Sequence, residues 1–558
     1  MFQARDVPEL RSQSTTAPNT PEPEPEMMVD TIEVNGDFAR LIPQNRLAQE
    51  AFNEVVLNMK DVNADFSSHA AKFIHVDGLR SKELVSFSES DSSNTGTNTG
   101  VSLWTGFYRL NLNLLPGKPL LGWIIGTGRD IRPADFIICK QGAHHVHGRH
   151  ARLTYHEVSG ALLIQSDKRL IIIDGKDNIV NDKKALLDKK TGITIGDLSY
   201  VFEYTNLNKR IYFDQLNRLR QQLHNASNLP SFLDPTPSAK DFVLNDYLIK
   251  DAFAQGSTCS VHIAIHRTFG KYLVAKKVHR NNRNQQRIKA EVEILKSFEP
   301  HPRICQLQEV IYPGKDQSVN HVEVVDEVYM MFSSVAEENL GNIIKSGTTL
   351  PDQVRITIFQ QCISGVVFIH QQGVMHRDLK PANIGLLSID PPKAILLDFG
   401  VATRESESND HYAGTIPYLA PEIIALKNGT ARRFYNKSAD IWSLGVTAFQ
   451  LIYGELRIWT QINKKVYEQL HSRLTSTPGD DKKIGNFKQL AAKMMKWESG
   501  DRITASQALK DQLFLTGEGE RTDKASIDMA RKRRQGEGER VVDGDREETG
   551  NAKHIRFT

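Results

Sequence analysis

The chain has 558 residues, with 70 Lys and Arg against 67 Asp and Glu (net +3), 39% hydrophobic and 25% charged residues. That composition excludes a wholly disordered chain, and the near balance of charge argues against a polycation that grips nucleic acid directly. No apolar run approaches the ~20 residues needed to cross a bilayer, so no membrane partner is expected, and at roughly 150 residues per domain the length suggests several units.

Residues 1–99 read as a disordered, low-complexity region. The start MFQARDVPELRSQ lacks the apolar core of a secretory signal, and TPEPEPE cannot bury enough surface to offset chain entropy. A short amphipathic helix fits 37–61 but Pro43 interrupts it, and SFSESDSSNTGTNTG (86–100) is a polar linker. Over 100–206 short apolar runs such as LGWIIG, DFIIC, ALLIQS, RLIIIDG and LSYVFEY recur between turn signals, which predicts an all-β sandwich. Residues 207–240 hold a helical pattern, IYFDQLNRLRQQLHN, and a Pro-broken linker. From 241 to 516 strand-like and then helix-like segments predict one large two-lobed α+β domain. The tail 517–558 is charge-rich and apolar-poor, and its run Arg531-Lys532-Arg533-Arg534 reads as a nuclear import signal or a solvated basic stretch. The four cysteines (Cys139, Cys259, Cys305, Cys362) are widely spaced with no Cys-x-x-Cys pair, so a reducing compartment is expected, nucleus or cytoplasm.

The chemistry-bearing residues cluster in the third unit. Leu396-Leu397-Asp398-Phe399-Gly400 is an apolar run ending in an acid and a glycine, and HRDLKPAN upstream carries Asp378, Lys380 and Asn383. LVAKKV places Lys277 in a strand-like run, and KAEVEIL carries Glu291 on a helical pattern. Phosphoryl transfer from ATP needs such parts: a lysine for the α/β-phosphates, a glutamate to hold it, two oxygen ligands for Mg²⁺ and a carboxylate to take the acceptor proton. In this order, with GTIPYLAPE, DIWSLG and DRITASQAL following, they resemble the protein-kinase catalytic domain. The resemblance implies Asp378 as base, Lys380 as the residue that steadies the transferring group, Asn383 and Asp398 as Mg²⁺ ligands, and Lys277 with Glu291 as the ion pair of the active state. It implies a nucleotide site lined by Gly256, Val261, Ala275, Ser333 and Val335, with Phe332 as gatekeeper. Lysine at 380 and Thr415 resemble the serine/threonine class, so protein substrates with Ser or Thr acceptors are expected. Glu422 with Arg502, and Asp440, are implied to be structural.

The phosphate-covering loop departs from the family pattern: its three glycine positions read Ala254, Gly256 and Cys259. Glycine there lets backbone N–H groups approach phosphate without a Cβ, so two losses predict weakened ATP binding, with a pseudokinase scaffold as the rival reading. Arg377 precedes the base, and in such kinases that arginine docks a phosphate on the activation segment, for which Thr403, Ser406 and Ser408 are candidates. Residues 100–206 resemble a forkhead-associated (FHA) domain, a β-sandwich that binds phosphothreonine peptides, through Gly128-Arg129, His150 of HARL and Gly196-Asp197. The expected phosphopeptide contacts are Arg129, His147, Arg149, Lys168 and Arg169, with His150 a packing residue. His147 and Arg169 replace the serine and asparagine usual in that family, which puts threonine selectivity in doubt. The order FHA-like module then kinase resembles the DNA-damage and meiotic checkpoint effector kinases, implying phosphorylated partners and a transient homodimer.

Overall fold

The computed structural model describes residues 36–61, 66–82, 101–127, 134–205, 208–224, 229, 233, 236–256, 259–313, 326–333, 335–430, 434–455, 463–475 and 482–514. The readings of 1–35, 86–100 and 517–558, and of Gly128-Arg129, lie outside them.

The expected all-β sandwich is present. One sheet has seven strands, ordered Ile74–Lys82, Val101–Asn111, Asp37–Pro43, Leu198–Tyr204, Lys190–Ile195, Ile171–Ile173 and Asp177–Ile179. The other has five, ordered Lys183–Ala185, Leu162–Ser166, Ala151–Tyr155, Trp123–Gly126 and Phe136–Ile137. Along LSYVFEY the residues alternate between buried and half-buried, the period-two pattern of a strand with one face in the core. Leu198, Tyr200 and Phe202 from the first sheet share that core with Leu153, Ile164 and Phe136 from the second.

The stretch before residue 100 corrects the reading of 1–99 as disordered. Asp37–Pro43 sits inside the seven-stranded sheet, paired with Val101–Asn111 on one side and Leu198–Tyr204 on the other. Pro43 is the strand's last residue, where its fixed φ is tolerated, and it does not break a helix. The helix Arg46–Lys60 starts beyond it, with Asn45 Oδ1 accepting from the Ala48 N–H at 3.0 Å. Ala48, Ala51, Phe52, Val55 and Val56 form its buried stripe. The strand is short and its partners lie more than sixty and one hundred and fifty positions away, which hid it in the sequence.

The expected two-lobed domain follows. Its small lobe is a six-stranded sheet ordered Phe242–Leu244, Tyr247–Gln255, Cys259–His266, Tyr272–Arg280, Asp326–Phe332 and Leu307–Ile311, with the helix Gln285–Ser297 beside it. In the large lobe the helices Asp352–Gln371 and Lys482–Met494 pack against the central helix Ser438–Tyr453, and Ala505–Leu509 packs against Asp352–Gln371. That central helix is buried from Ala439 to Leu451, which explains why it reads as apolar on all sides. Among the described residues no helix is long and apolar enough to cross a membrane.

The sandwich and the small lobe share a core. Leu248, Ile263 and Ile265 of the kinase sheet lie in the same buried cluster as the sandwich interior, and Val274 and Val335 pack against it. The Ala185 N–H donates to Arg267 O at 2.9 Å, and the Ser159 hydroxyl donates to Gly270 O. Gly270 has φ +70, and a Cβ there would lie 2.8 Å from Leu163 Cδ2. Gly270→Ala is therefore expected to lower stability by about 1–2 kcal/mol in denaturant titration, from the left-handed backbone alone.

Candidate active site

Strand alternation decides which lysine enters the cleft. In Tyr272–Arg280 the side chains of Val274, Lys276 and Val278 face one side of the sheet, and those of Leu273, Ala275 and Lys277 the other. Lys276 Nζ donates to Glu291 Oε1 at 2.7 Å and to Asp398 Oδ1 at 2.7 Å. Lys277 instead pairs with Glu327 at 2.6 Å on the outer face, 5.8 Å from the Tyr329 ring centroid. The assignment of Lys277 to the phosphate-binding position is thus corrected to Lys276. Ala275 is corrected with it: fully buried in the outer cluster with Leu273, Tyr329 and Met331, it faces away from the cleft, and Val274 takes its place opposite Phe332. The signal was available one step further on, since Lys277 shares its face with the polar His279 while Lys276 shares its face with the buried Val278.

Burial would lower the Lys276 pKa, but Glu291 and Asp398 outweigh it and raise it, so the ammonium persists. Burial pushes the Glu291 carboxyl up. It opposes ionisation of Asp398 too, yet Lys276 brings that carboxyl down to about 2. Asp398 has φ +59, a left-handed conformation that costs a non-glycine residue and that the surrounding contacts hold.

Asp378 is fixed from both oxygens. Lys380 Nζ donates to its Oδ2 at 2.7 Å and to Thr415 Oγ1 at 2.7 Å, while Thr415 donates to Asp378 Oδ1 at 2.7 Å. Asn383 Nδ2 donates to Asp378 O at 2.8 Å and Oδ2 at 3.0 Å. The loop carrying them hangs from buried Asp440, which accepts from the His376 and Arg377 N–H groups at 2.9 and 2.8 Å and is paired with His370 at 2.8 Å. His370, at the end of its helix, was not singled out from the sequence, because only the fold brings it to Asp440.

Asn383 and Asp398 fit a hard cation. Asn383 turns its amide N–H groups towards Asp378, and among the described residues neither Asn383 Oδ1 nor Asp398 Oδ2 accepts a hydrogen bond. Two free oxygens, with no group of three metal-ligating acids, histidines or cysteines among the described residues, suit Mg²⁺ completed by phosphate and water.

Val261 lies opposite Lys276 and so faces the cleft. Gly256 N–H donates to Cys259 O at 2.8 Å, closing the loop whose tip, 257–258, lies outside the described residues. Cys259 pairs with Val278, on the cleft side, and burial raises its thiol pKa. Ser333 donates its N–H to Gln306 O at 3.1 Å, and Val335 follows in the interlobe connection. Phe332 is buried in the kinase core. Because a glycine at this loop position allows closer backbone approach to phosphate than a residue with a Cβ, Cys259→Gly is expected to lower KM for ATP by about two- to five-fold in steady-state kinetics.

The activation-segment candidates differ in access. Ser406 is exposed and Thr403 half-buried, its backbone bonded to Met375 in both directions. Ser408 is only 2% exposed, with its N–H and C=O both tied to Tyr435.

In the sandwich, His147, Arg149, Lys168 and Arg169 come together on two loops. Buried His150 clamps these loops, accepting from the His147 N–H at 3.4 Å and meeting Leu170 O at 3.0 Å. Burial lowers the His150 pKa. Arg149, Lys168 and Arg169 are all exposed, and Arg149 is paired with Asp167 at 2.5 Å. Arg129 lies outside the described residues.

Residues 247–514 match the family model described as the protein kinase domain. Serine/threonine-protein kinase RAD53 of Saccharomyces cerevisiae is 25% identical over 316 residues, 53% of this chain and 37% of that protein. Calcium/calmodulin-dependent protein kinase type II of Caenorhabditis briggsae is 28% identical over 274 residues, 48% of each chain. The chain thus spans less than half the length of these relatives. The crystal structure of Rad53 1-466 in complex with AMP-PNP is similar at 22% identity with a TM-score of 0.45, covering 70% of this chain and 91% of that one. From the matched residues and the Asp378, Lys380 and Thr415 geometry, residues 247–514 are a protein kinase domain of the serine/threonine type.

Proposed function

We propose that the chain is an active protein kinase that transfers the γ-phosphoryl group of ATP to serine or threonine of protein substrates. The observation that carries this reading is the simultaneous closure of Lys276 on Glu291 and Asp398 beside an Asp378 held by three donors. Lys276 would orient the α/β-phosphates, and Asp378 would accept the proton of the acceptor hydroxyl as its oxygen bonds to phosphorus and the bond to the ADP oxygen breaks. Lys380 would balance charge on the transferring group. Mg²⁺, when bound, supplies charge neutralisation on the phosphates, and Asn383 and Asp398 are the residues to hold it.

The sandwich is read as the recruiting module, with Lys168 and Arg169 as its phosphate-facing cations, His147 beside them and Arg149 held by Asp167. Phosphorylated protein partners, a transient homodimer, a nuclear location and a role in checkpoint signalling follow from the resemblance to checkpoint effector kinases. The pseudokinase alternative rests on Ala254 and Cys259 replacing two glycines. Autophosphorylation of the purified chain with Mg²⁺ and ATP separates the two: incorporation of phosphate that Asp398→Ala abolishes supports the enzyme, and none above that control supports the scaffold.

A further inference from the structure

Arg377 and Arg287 come from different parts of the domain and meet one carboxylate. Arg377 adjoins the base Asp378, has φ +69, and keeps its side chain only 10% exposed. Its guanidinium donates to Val401 O at 2.5 Å and reaches Ser408 Oγ at 3.3 Å, Tyr435 OH at 3.3 Å and Asp410 Oδ2 at 3.4 Å. Arg287, on the helix Gln285–Ser297 one turn before Glu291, lies 3.5 Å from the same Asp410 oxygen. A charge so little exposed needs a counter-charge, and among the described residues Asp410 is the acid paired with Arg377.

Asp410 is itself fixed in place. Its Oδ1 accepts from the Tyr412 N–H at 3.1 Å, its N–H donates to Ser408 Oγ at 3.3 Å, and its carbonyl accepts from Tyr435 OH at 2.9 Å. Ser408 and Tyr435 exchange backbone hydrogen bonds of 2.8 and 2.9 Å, pinning this stretch to the large lobe. One acidic side chain thereby links the activation segment, the catalytic loop and the helix that carries Glu291. A phosphate would do the same work with about −1.5 to −2 charges. Here that position is already filled, and the neighbouring Ser408 is sealed inside it.

We propose that Asp410 is a positioning residue that takes the place of an activation-segment phosphate, so that the unphosphorylated chain is competent for catalysis. This inference rests on the kinase reading above. The test uses the full chain, treated with phosphatase until its intact mass carries no phosphate, and a degenerate serine/threonine peptide mixture as acceptor. Rates are extrapolated to zero time, before autophosphorylation accumulates. The expected result is at least half of the untreated kcat with no lag. Asp410→Asn is expected to lower kcat about ten-fold with KM for ATP little changed, Asp410→Glu to recover most of that loss, and Arg287→Gln, on an exposed side chain, to lower kcat in the same direction. A purely structural role would move the melting temperature without the recovery by glutamate. A dephosphorylated chain that is silent until Thr403 or Ser406 is phosphorylated would overturn the inference and leave the kinase reading standing. A chain silent in every phosphorylation state would overturn both.

Discussion

Lys276→Met is expected to lower kcat/KM for phosphoryl transfer by about 10²–10³-fold, the cost of removing one preorganised charge donor. Lys277→Met is expected to leave it within about two-fold, because its ion pair with Glu327 lies on the outer face of the sheet. The two neighbours differ only in the direction strand alternation gives them. Lys276→Arg does not rescue, since a planar fork replaces a compact ammonium between Glu291 and Asp398. The fold survives Lys276→Met, because burial already raises the Glu291 carboxyl and protonation relieves the unpaired site. The variant also shifts the acid response. The Asp398 carboxyl is held at about 2, below its unfolded value, so its stabilising contribution is full above the ordinary carboxylate range and is lost as pH falls towards 2. Without Lys276 the carboxyl is no longer held down, so this contribution and its loss on acidification both disappear, read as a shallower fall of stability between the ordinary carboxylate range and pH 2. Equal activity losses in the two methionine variants would contradict the assignment.

Arg502→Ala is expected to destabilise the large lobe by about 3–5 kcal/mol, the cost of leaving a buried charge without its partner. The Arg502 side chain is wholly buried, and its Nη1 and Nη2 bind the two Glu422 carboxylate oxygens at 2.7 Å each. Its remaining donors reach Ser438 O, Lys496 O and Trp497 O, and the guanidinium lies 5.1 Å from the Trp442 ring centroid. No other residue type offers five N–H donors in that plane. Arg502→Lys keeps the charge but loses the two-pronged contact, so it is expected to recover only part of the stability. Glu422 lies in the first turn of the helix Pro421–Lys427 that follows Thr415. Loss of the pair therefore loosens the segment that positions Asp378 as well as the lobe. Urea unfolding of both variants measures the effect, and a loss under about 1 kcal/mol for Arg502→Ala would contradict it.

The catalytic loop was legible in the sequence because its chemistry is local. Asp378, Lys380 and Asn383 lie within six positions, and Asp398 ends an apolar strand pattern. The lysine was misplaced by one because adjacent lysines leave the choice to strand direction, which depends on pairing with the strands Cys259–His266 and Asp326–Phe332. The strand Asp37–Pro43 was missed for a related reason: a short polar-flanked segment becomes a central strand only through distant partners. Asp410 was invisible as a charge partner, since its link to Arg287 spans more than one hundred positions and two lobes. Conversely, Ser408 looked available on a polar run, and only packing against Tyr435 buries it.

Crystals of the full chain grown with Mn²⁺ and a non-hydrolysable ATP analogue, measured at the manganese edge, test the central claim most directly. The account predicts an anomalous peak about 2.0–2.3 Å from Asn383 Oδ1 and an Asp398 oxygen, with Lys276 Nζ against the α- or β-phosphate. A nucleotide that reaches Lys277, or a metal bound away from both Asn383 and Asp398, would contradict it.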